Sequence, residues 1–160
     1  MSTLIRGLTL ALLGLPVAFG IWALLSHNAI AIFTTLLLGG LYGVVWLGCR
    51  PSHFIISPHT LKIVFPVWQR RVSLHTVTDV RILDQNAFNQ EFGWAIRIGV
   101  GGLWGGFGWL WTQRRGFVEF YVSQTDRLVV LDRSVGNTLL ITPESLEQFV
   151  QTLQENRFSA

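Results

Sequence analysis

The chain has 160 residues, of which 50% are hydrophobic and only 13% charged, with a net charge of +3 and a mean hydropathy of +0.44. That length holds one modest domain and a membrane anchor, not two soluble domains, and the charged fraction is far below the roughly 25% of an ordinary soluble domain. The single cysteine, Cys49, excludes an intramolecular disulfide and a cysteine-based zinc cluster.

The deficit of charge is local. No Asp, Glu, Lys or Arg lies between Arg6 and Arg50, and all nine acidic residues stand at Asp79 or later. The sequence therefore divides near Arg50 into an apolar hairpin over 1–50 and a second unit over 51–160. Leu8 to Leu25 and Ile30 to Leu47 are each eighteen residues without an ionisable group. As helices they would reach about 27 Å, close to the hydrocarbon thickness of a bilayer. Buried helices of a soluble core would need a polar face, and neither segment has one. A cleaved signal peptide ending at Ala29-Ile30-Ala31 would have a shorter apolar run with no polar break before the cleavage site. Leu47-Gly48-Cys49 faintly matches a lipoprotein processing site, but two long apolar segments precede it; a small apolar residue at a helix end is the better account.

Only Ser26 to Ala29 separates the two spans, so they are expected to be adjacent and antiparallel. Arg6 precedes the first, and Arg50, Lys62, Arg70 and Arg71 follow the second, whereas the turn carries no basic residue. The positive-inside rule then places both termini in the cytoplasm, with the chain in an inner, cytoplasmic-type membrane. Gly14 and Ala18 share a face of the first span, and Gly39 and Gly43 a face of the second; such spacings allow close backbone approach, within the hairpin or against another protein. Pro16 is expected to kink the first span without breaking it.

From His53 the hydrophobic pattern changes to alternation, the mark of half-buried strands. Strands are expected at Phe54 to Ile56, Leu61 to Phe65, Arg70 to Leu74 and around Val80 to Ile82. Asp84 to Gly93 reads as a polar loop. Further strands are expected at Trp94 to Val100, Phe107 to Trp111, Phe117 to Ser123, Arg127 to Asp132 and Thr138 to Ile141. A closing helix is expected to start with Thr142 as cap, Pro143 in its first position and Glu144 near its positive end. Leu146, Phe149, Val150 and Leu153 fall at i, i+3, i+4 and i+7, one apolar stripe for docking on the sheet.

These residues carry a resemblance. The opening Ile55-Ile56-Ser57 and Leu61-Lys62-Ile63 hairpin, the glycine-rich hairpin, the strands Phe117 to Tyr121 and Leu128 to Leu131, and the closing Leu140-Ile141-Thr142-Pro143-Glu144 are similar to bacterial pleckstrin-homology-like (PH-like) domains. Members of that family end with a strand running into an Ile-(Ser/Thr)-Pro-(Glu/Asp) helix start. The resemblance covers about Ser52 to Leu153 and implies a membrane-anchored α+β protein: a helical hairpin, then a seven-stranded bent sandwich, mainly antiparallel, capped by an amphipathic C-terminal helix. It implies no activity, because the fold hosts many binding roles. Two N-terminal spans before a PH-like domain is also the layout of a photosystem assembly factor family; no motif here matches that family, and the parallel is one of layout alone.

No residue constellation reads as a catalytic centre. A dinucleotide fingerprint opening at Gly99 would need glycine where Trp104 stands, and a P-loop would need Gly-Lys-Ser/Thr, which is absent. His27, His53, His59 and His75 include no pair at metal-ligand spacing, and Ser57, Ser73 and Ser123 lack a nucleophile context. No cofactor, metal, nucleic acid or small-molecule substrate is indicated. In the glycine-rich hairpin, Trp94 and Trp111 are expected to pack into the domain, and Leu103, Trp104 and Phe107 to form an aromatic tip that touches a partner or the headgroup layer. The expected function is a non-catalytic scaffold, assembly factor or accessory subunit of a larger membrane protein complex. It would contact membrane lipid and other integral membrane proteins through Gly14, Gly39, Gly43 and the aromatic tip. The alternative is sensing of anionic headgroups by Arg70, Arg71, Arg114 and Arg115, since basic residues near an anionic leaflet gain about 1 kcal/mol each.

Overall fold

The computed structural model describes residues 3–101, 105–124 and 126–158. Two helices open the chain: α1 (Thr3–Ser26), with Pro16 inside it, and α2 (Ala29–Val44), which continues through a π-helical turn, Val45–Cys49. The link is shorter than the sequence suggests, because His27 and Asn28 each serve a helix end. His27 takes the left-handed conformation (φ +49°) and its N–H bonds Ala23 O at 3.1 Å, closing α1, while the Asn28 side chain accepts the Ile30 N–H at 2.8 Å, opening α2.

The helices pack through small and hydroxylated residues. Ala23 and Ala31 are buried, Gly20 faces the Thr35 methyl, and the Tyr42 hydroxyl donates to Leu12 O at 2.7 Å. Their remaining surface is exposed leucine, isoleucine, valine and aromatic side chains. Both helices are long and apolar enough to cross a membrane, over Thr9–Ser26 and Ala29–Cys49.

Nine strands follow in two sheets. β1 (His53–Ser57), β2 (Thr60–Val64) and β3 (Gln69–Ser73) form a three-stranded antiparallel meander. β4 (Val77–Asp84), β5 (Ala95–Gly101), β6 (Gly106–Thr112), β7 (Gly116–Val122), β8 (Arg127–Arg133) and β9 (Leu139–Ile141) form a six-stranded sheet in the order β4-β8-β9-β7-β6-β5. The nine alternating runs of the sequence are all strands, two more than the resemblance implies. One pairing, β7 with β9, is parallel. The inner face of the large sheet meets the meander in a core that includes Leu61, Ile63 and Val72 from one side and Val129, Leu131, Leu139 and Ile141 from the other. The outer face carries a second core of Leu110, Val118, Phe120, Val130 and Leu140.

That outer core is capped by an element expected to be loop. Gln85–Phe92 is helix α3. Asp84 caps it by accepting the Ala87 N–H at 2.8 Å, Phe88 and Phe92 stack at 4.7 Å one turn apart, and Gly93 (φ +71°) ends it. Overall polarity conceals these signals, because only two aromatic residues of α3 face the sheet.

The closing helix α4 spans Leu146–Phe158, later than the Thr142-Pro143-Glu144 start predicts. Thr142 is engaged elsewhere: its hydroxyl accepts the Ser123 N–H at 2.7 Å and lies 3.0 Å from the Ser123 hydroxyl, tying the end of β7 to the chain leaving β9. The apolar stripe docks as expected. Leu146, Phe149 and Leu153 are buried, Val150 partly so, and Phe149 meets Phe54 edge-on at 6.1 Å. Phe149→Ala is expected to destabilise the protein by about 3–5 kcal/mol. A thermal melt of the detergent-solubilised chain checks it; an unchanged midpoint would mean that α4 contributes no packing.

Candidate functional site

Three surfaces bear on how this chain meets other molecules. The first lies on the hairpin. A Cβ built at Gly14, Gly39 or Gly43 meets nothing within 4 Å, in contrast to Gly20, where the Thr35 methyl is 3.7 Å away. The glycine faces therefore point away from the α1–α2 contact and offer flat backbone to whatever surrounds the hairpin.

The second is the joint between hairpin and domain. The π turn leaves Gly48 O available, and Trp68 Nε1, from the β2–β3 turn, donates to it at 2.8 Å. Trp68 is held by stacking on the buried Phe65 at 4.1 Å. The Arg50 guanidinium lies 4.3 Å from the Trp46 ring, and Ser52 N–H donates to Val64 O at 2.7 Å, so β1 begins two residues beyond Arg50. Trp46, Leu47, Val67 and Trp68 remain exposed around this joint, an aromatic and apolar collar where the two units meet.

The third is the inner face of the large sheet where the meander does not cover it. Register places Val80, Leu131, Leu139, Glu119, Trp109 and Ile98 in one row across β4, β8, β9, β7, β6 and β5. The row is buried as far as Glu119, at 4% exposure, and then opens abruptly: Trp109 is 41% and Ile98 50% exposed. The neighbouring row, Phe117, Trp111 and Ile96, continues the open patch, and Trp94 lies 5.2 Å from Trp111. Trp94 is thus on the surface, not packed into the domain as expected, because β5 is the edge strand beyond the reach of the meander.

The glycines of this hairpin serve close strand approach. Gly99 (φ +147°) pairs with Gly108 (φ +123°), and a Cβ at Gly99 would fall 2.4 Å from Phe107 O. The expected contact tip resolves only in part. Leu103 and Trp104 lie outside the described residues, and Phe107 turns inward, buried, which removes it from any contact surface.

Glu119 marks the boundary of the covered face electrostatically. Arg133 Nη2 donates to its Oε1 at 3.2 Å from within the large sheet, and Arg70 of β3 donates to the same oxygen at 2.9 Å, with Nη1 2.8 Å from Oε2. Arg70 also reaches the Tyr121 hydroxyl at 3.3 Å. Burial opposes the Arg70 charge, but Glu119 and Tyr121 outweigh it and raise its pKa.

The four arginines proposed for headgroups do not converge. Arg70 faces inward to Glu119, while Arg71 points outward beside Lys62. Arg114 and Arg115 sit in the β6–β7 turn, at the opposite end of those strands from the Gly106–Val122 pair. Arg115 bridges Glu91 at 2.7 Å and Asp132 at 3.1 Å, and Arg114 donates to Gln90 O. Asp132 also receives Arg81 at 2.6 Å and Thr138 at 2.8 Å. Against the opposing effect of burial, these partners hold its carboxyl below the usual value and raise the pKa of Arg81.

His59 and His75 stack at 5.6 Å, a proximity created by the meander and invisible in their spacing; among the described residues no three metal-ligating side chains gather.

The Bacterial PH domain family model matches residues 52–157. No curated protein and no solved structure matches the chain.

Glu119→Gln is expected to cost about 3–5 kcal/mol, because two guanidiniums would face a neutral amide with one of them, Arg133, almost fully buried. Chemical denaturation of wild type and variant measures the difference; a loss below about 1 kcal/mol, the level of an exposed pair, would contradict a buried bridge.

Proposed function

The chain belongs to the bacterial PH domain family across residues 52–157, and from that premise we propose that it is a non-catalytic scaffold, assembly factor or accessory subunit of a larger membrane protein complex. One observation carries the reading: the uncovered sheet face of Trp94, Ile96, Ile98, Trp109 and Phe117, each more than 40% exposed and contiguous by strand register. Soluble monomers rarely leave so broad an apolar patch open to water. A chain held by a membrane anchor can keep such a face against a fixed neighbour. The outward glycines Gly14, Gly39 and Gly43 add a second contact surface at the depth where a partner's helices would lie. The acidic residues Glu91, Glu119 and Asp132 are occupied by arginines in structural bridges, which favours a binding role over acid–base chemistry.

The partner is another integral membrane protein, and the membrane is an inner, cytoplasmic-type one. Arg50, Lys62, Arg70 and Arg71 all follow α2, while the His27-Asn28 link carries neither Lys nor Arg. Both termini then lie in the cytoplasm, and the exposed collar of Trp46, Leu47, Val67 and Trp68 falls at the headgroup layer, where tryptophan is favoured. A reporter fused after Ala160 should score as cytoplasmic and one inserted at Asn28 as external; the reverse pattern would overturn this topology.

The partner surface is tested by Ile96→Glu/Ile98→Glu. Both side chains are exposed on an edge strand, so the double variant should melt within about 1 kcal/mol of wild type. It should remain in the membrane fraction and lose the integral membrane proteins that co-purify with the wild-type chain. Retention of the full set of partners would remove the sheet face from the interface.

A further inference from the structure

Where the domain leaves the hairpin, the structure encloses a cavity of about 610 Å³. Its walls are the first residues after α2 (50–54), the end of β7 (121–124), and the link into α4 with that helix's first turns (142–149 and 152). The size lies within the range of small-molecule sites.

The lining has two characters. Four aromatic rings, Phe54, Phe107, Tyr121 and Phe149, supply the apolar surface. The polar part is mostly neutral, with serine and threonine hydroxyls and the amides of Gln124 and Gln148. Its formal charges are one Arg50 and one Glu144, which cancel.

We propose that this cavity binds an uncharged, polyhydroxylated group, the glycosyl headgroup of a membrane glycolipid. A sugar presents C–H faces that pack on aromatic rings, and hydroxyls that both donate and accept. Hydroxyl and amide side chains answer them in both directions, which purely cationic or anionic donors cannot do. A phosphate headgroup calls for converging cations. Here the single arginine already lies over Trp46, and Glu144 on the opposite wall repels an anion. A wholly apolar ligand would leave the hydroxyls and amides without partners.

The position selects a lipid over a free sugar. Arg50 and Ser52, part of the wall, follow the last turn of α2 directly, beside the exposed Trp46 and Trp68. With α2 in the bilayer, a headgroup can enter this space while its acyl chains stay alongside the helix. The inference rests on the membrane placement of the hairpin and is independent of the sheet face that meets a protein partner.

The test uses the full chain in phosphatidylcholine nanodiscs. Incorporation is measured first; a chain that stays outside the discs removes the membrane premise before any ligand is added. Short-chain monohexosyl diacylglycerol, short-chain phosphatidylglycerol and a free methyl hexoside are then titrated, with binding read by saturation-transfer NMR and by thermal shift. The glycolipid should saturate and raise the melting temperature, with the other two at least about tenfold weaker. Gln148→Leu/Thr152→Val, altering two positions on the accessible side of α4, should leave the unliganded melt unchanged and weaken glycolipid binding by about tenfold, the scale of one or two lost hydrogen bonds. Equal or tighter binding of phosphatidylglycerol would overturn the neutral-headgroup assignment, and equal binding of the free hexoside the lipid source. Glycolipid binding untouched by the double variant would place the site elsewhere. The Ile96→Glu/Ile98→Glu variant should bind glycolipid like wild type, so failure of the scaffold reading and failure of this one give different results.

Discussion

Glu119 brings a carboxylate into a cross-sheet row that is otherwise apolar on its covered side, and burial of that charge is tolerable only with cationic partners in place. Arg133 supplies one from the same sheet and Arg70 the other from the meander. The bridge therefore sets the lateral position of one sheet over the other. β3 reaches Glu119 and Tyr121, and there the double layer ends. What lies beyond, β6 and β5, keeps its apolar residues on the inner face with no second layer above them. The buried bridge and the open aromatic patch are two consequences of one placement.

The same placement determines what surrounds the joint with the hairpin. Holding β3 against β7 brings the β2–β3 turn to the end of α2, where Phe65 packs on Tyr121 at 5.5 Å and Trp68 reaches Gly48 O. The domain is thereby held by a side-chain contact as well as by the chain itself. A π-helical turn is well suited to this end of α2, because its altered hydrogen-bond ladder presents a carbonyl that a regular helix would partner internally. The cavity beside the joint opens between β1, the end of β7 and the start of α4, three segments whose spacing depends on the meander being anchored by Arg70.

Outward glycines, an aromatic collar and an uncovered sheet face make up three contact surfaces of different chemistry on one small chain. The glycine faces suit helix-to-helix contact within a bilayer, where close backbone approach replaces the hydrophobic driving force. The sheet face suits a water-side contact, where burial of apolar area contributes roughly 25 cal/mol per Å². The arginines that could have formed a single anionic site are instead divided between two internal bridging networks and two ends of the domain.

Much of this architecture was legible in the residues. Eighteen uncharged positions twice over, nine alternating runs and an i, i+3, i+4, i+7 stripe are local patterns, and local patterns survive in a linear reading because each is decided by neighbours within a few positions. Helix α3 was legible too, in the Asp84 cap, the Phe88–Phe92 pair and Gly93, but its polar composition masked a two-residue apolar face. Thr142 carried a cap signal that a partner nineteen residues away, Ser123, claimed instead. Three features had no local trace: Glu119 meeting Arg70 across 49 positions, the glycines turning away from the neighbouring helix, and Trp94 falling beyond the edge of the second layer. By itself the sequence determined which segments are helix and strand and where the apolar hairpin ends, because periodicity and charge are carried along the chain. Only the tertiary structure decided which apolar residues stay uncovered and which charges are neutralised, because both depend on how far one sheet extends over another.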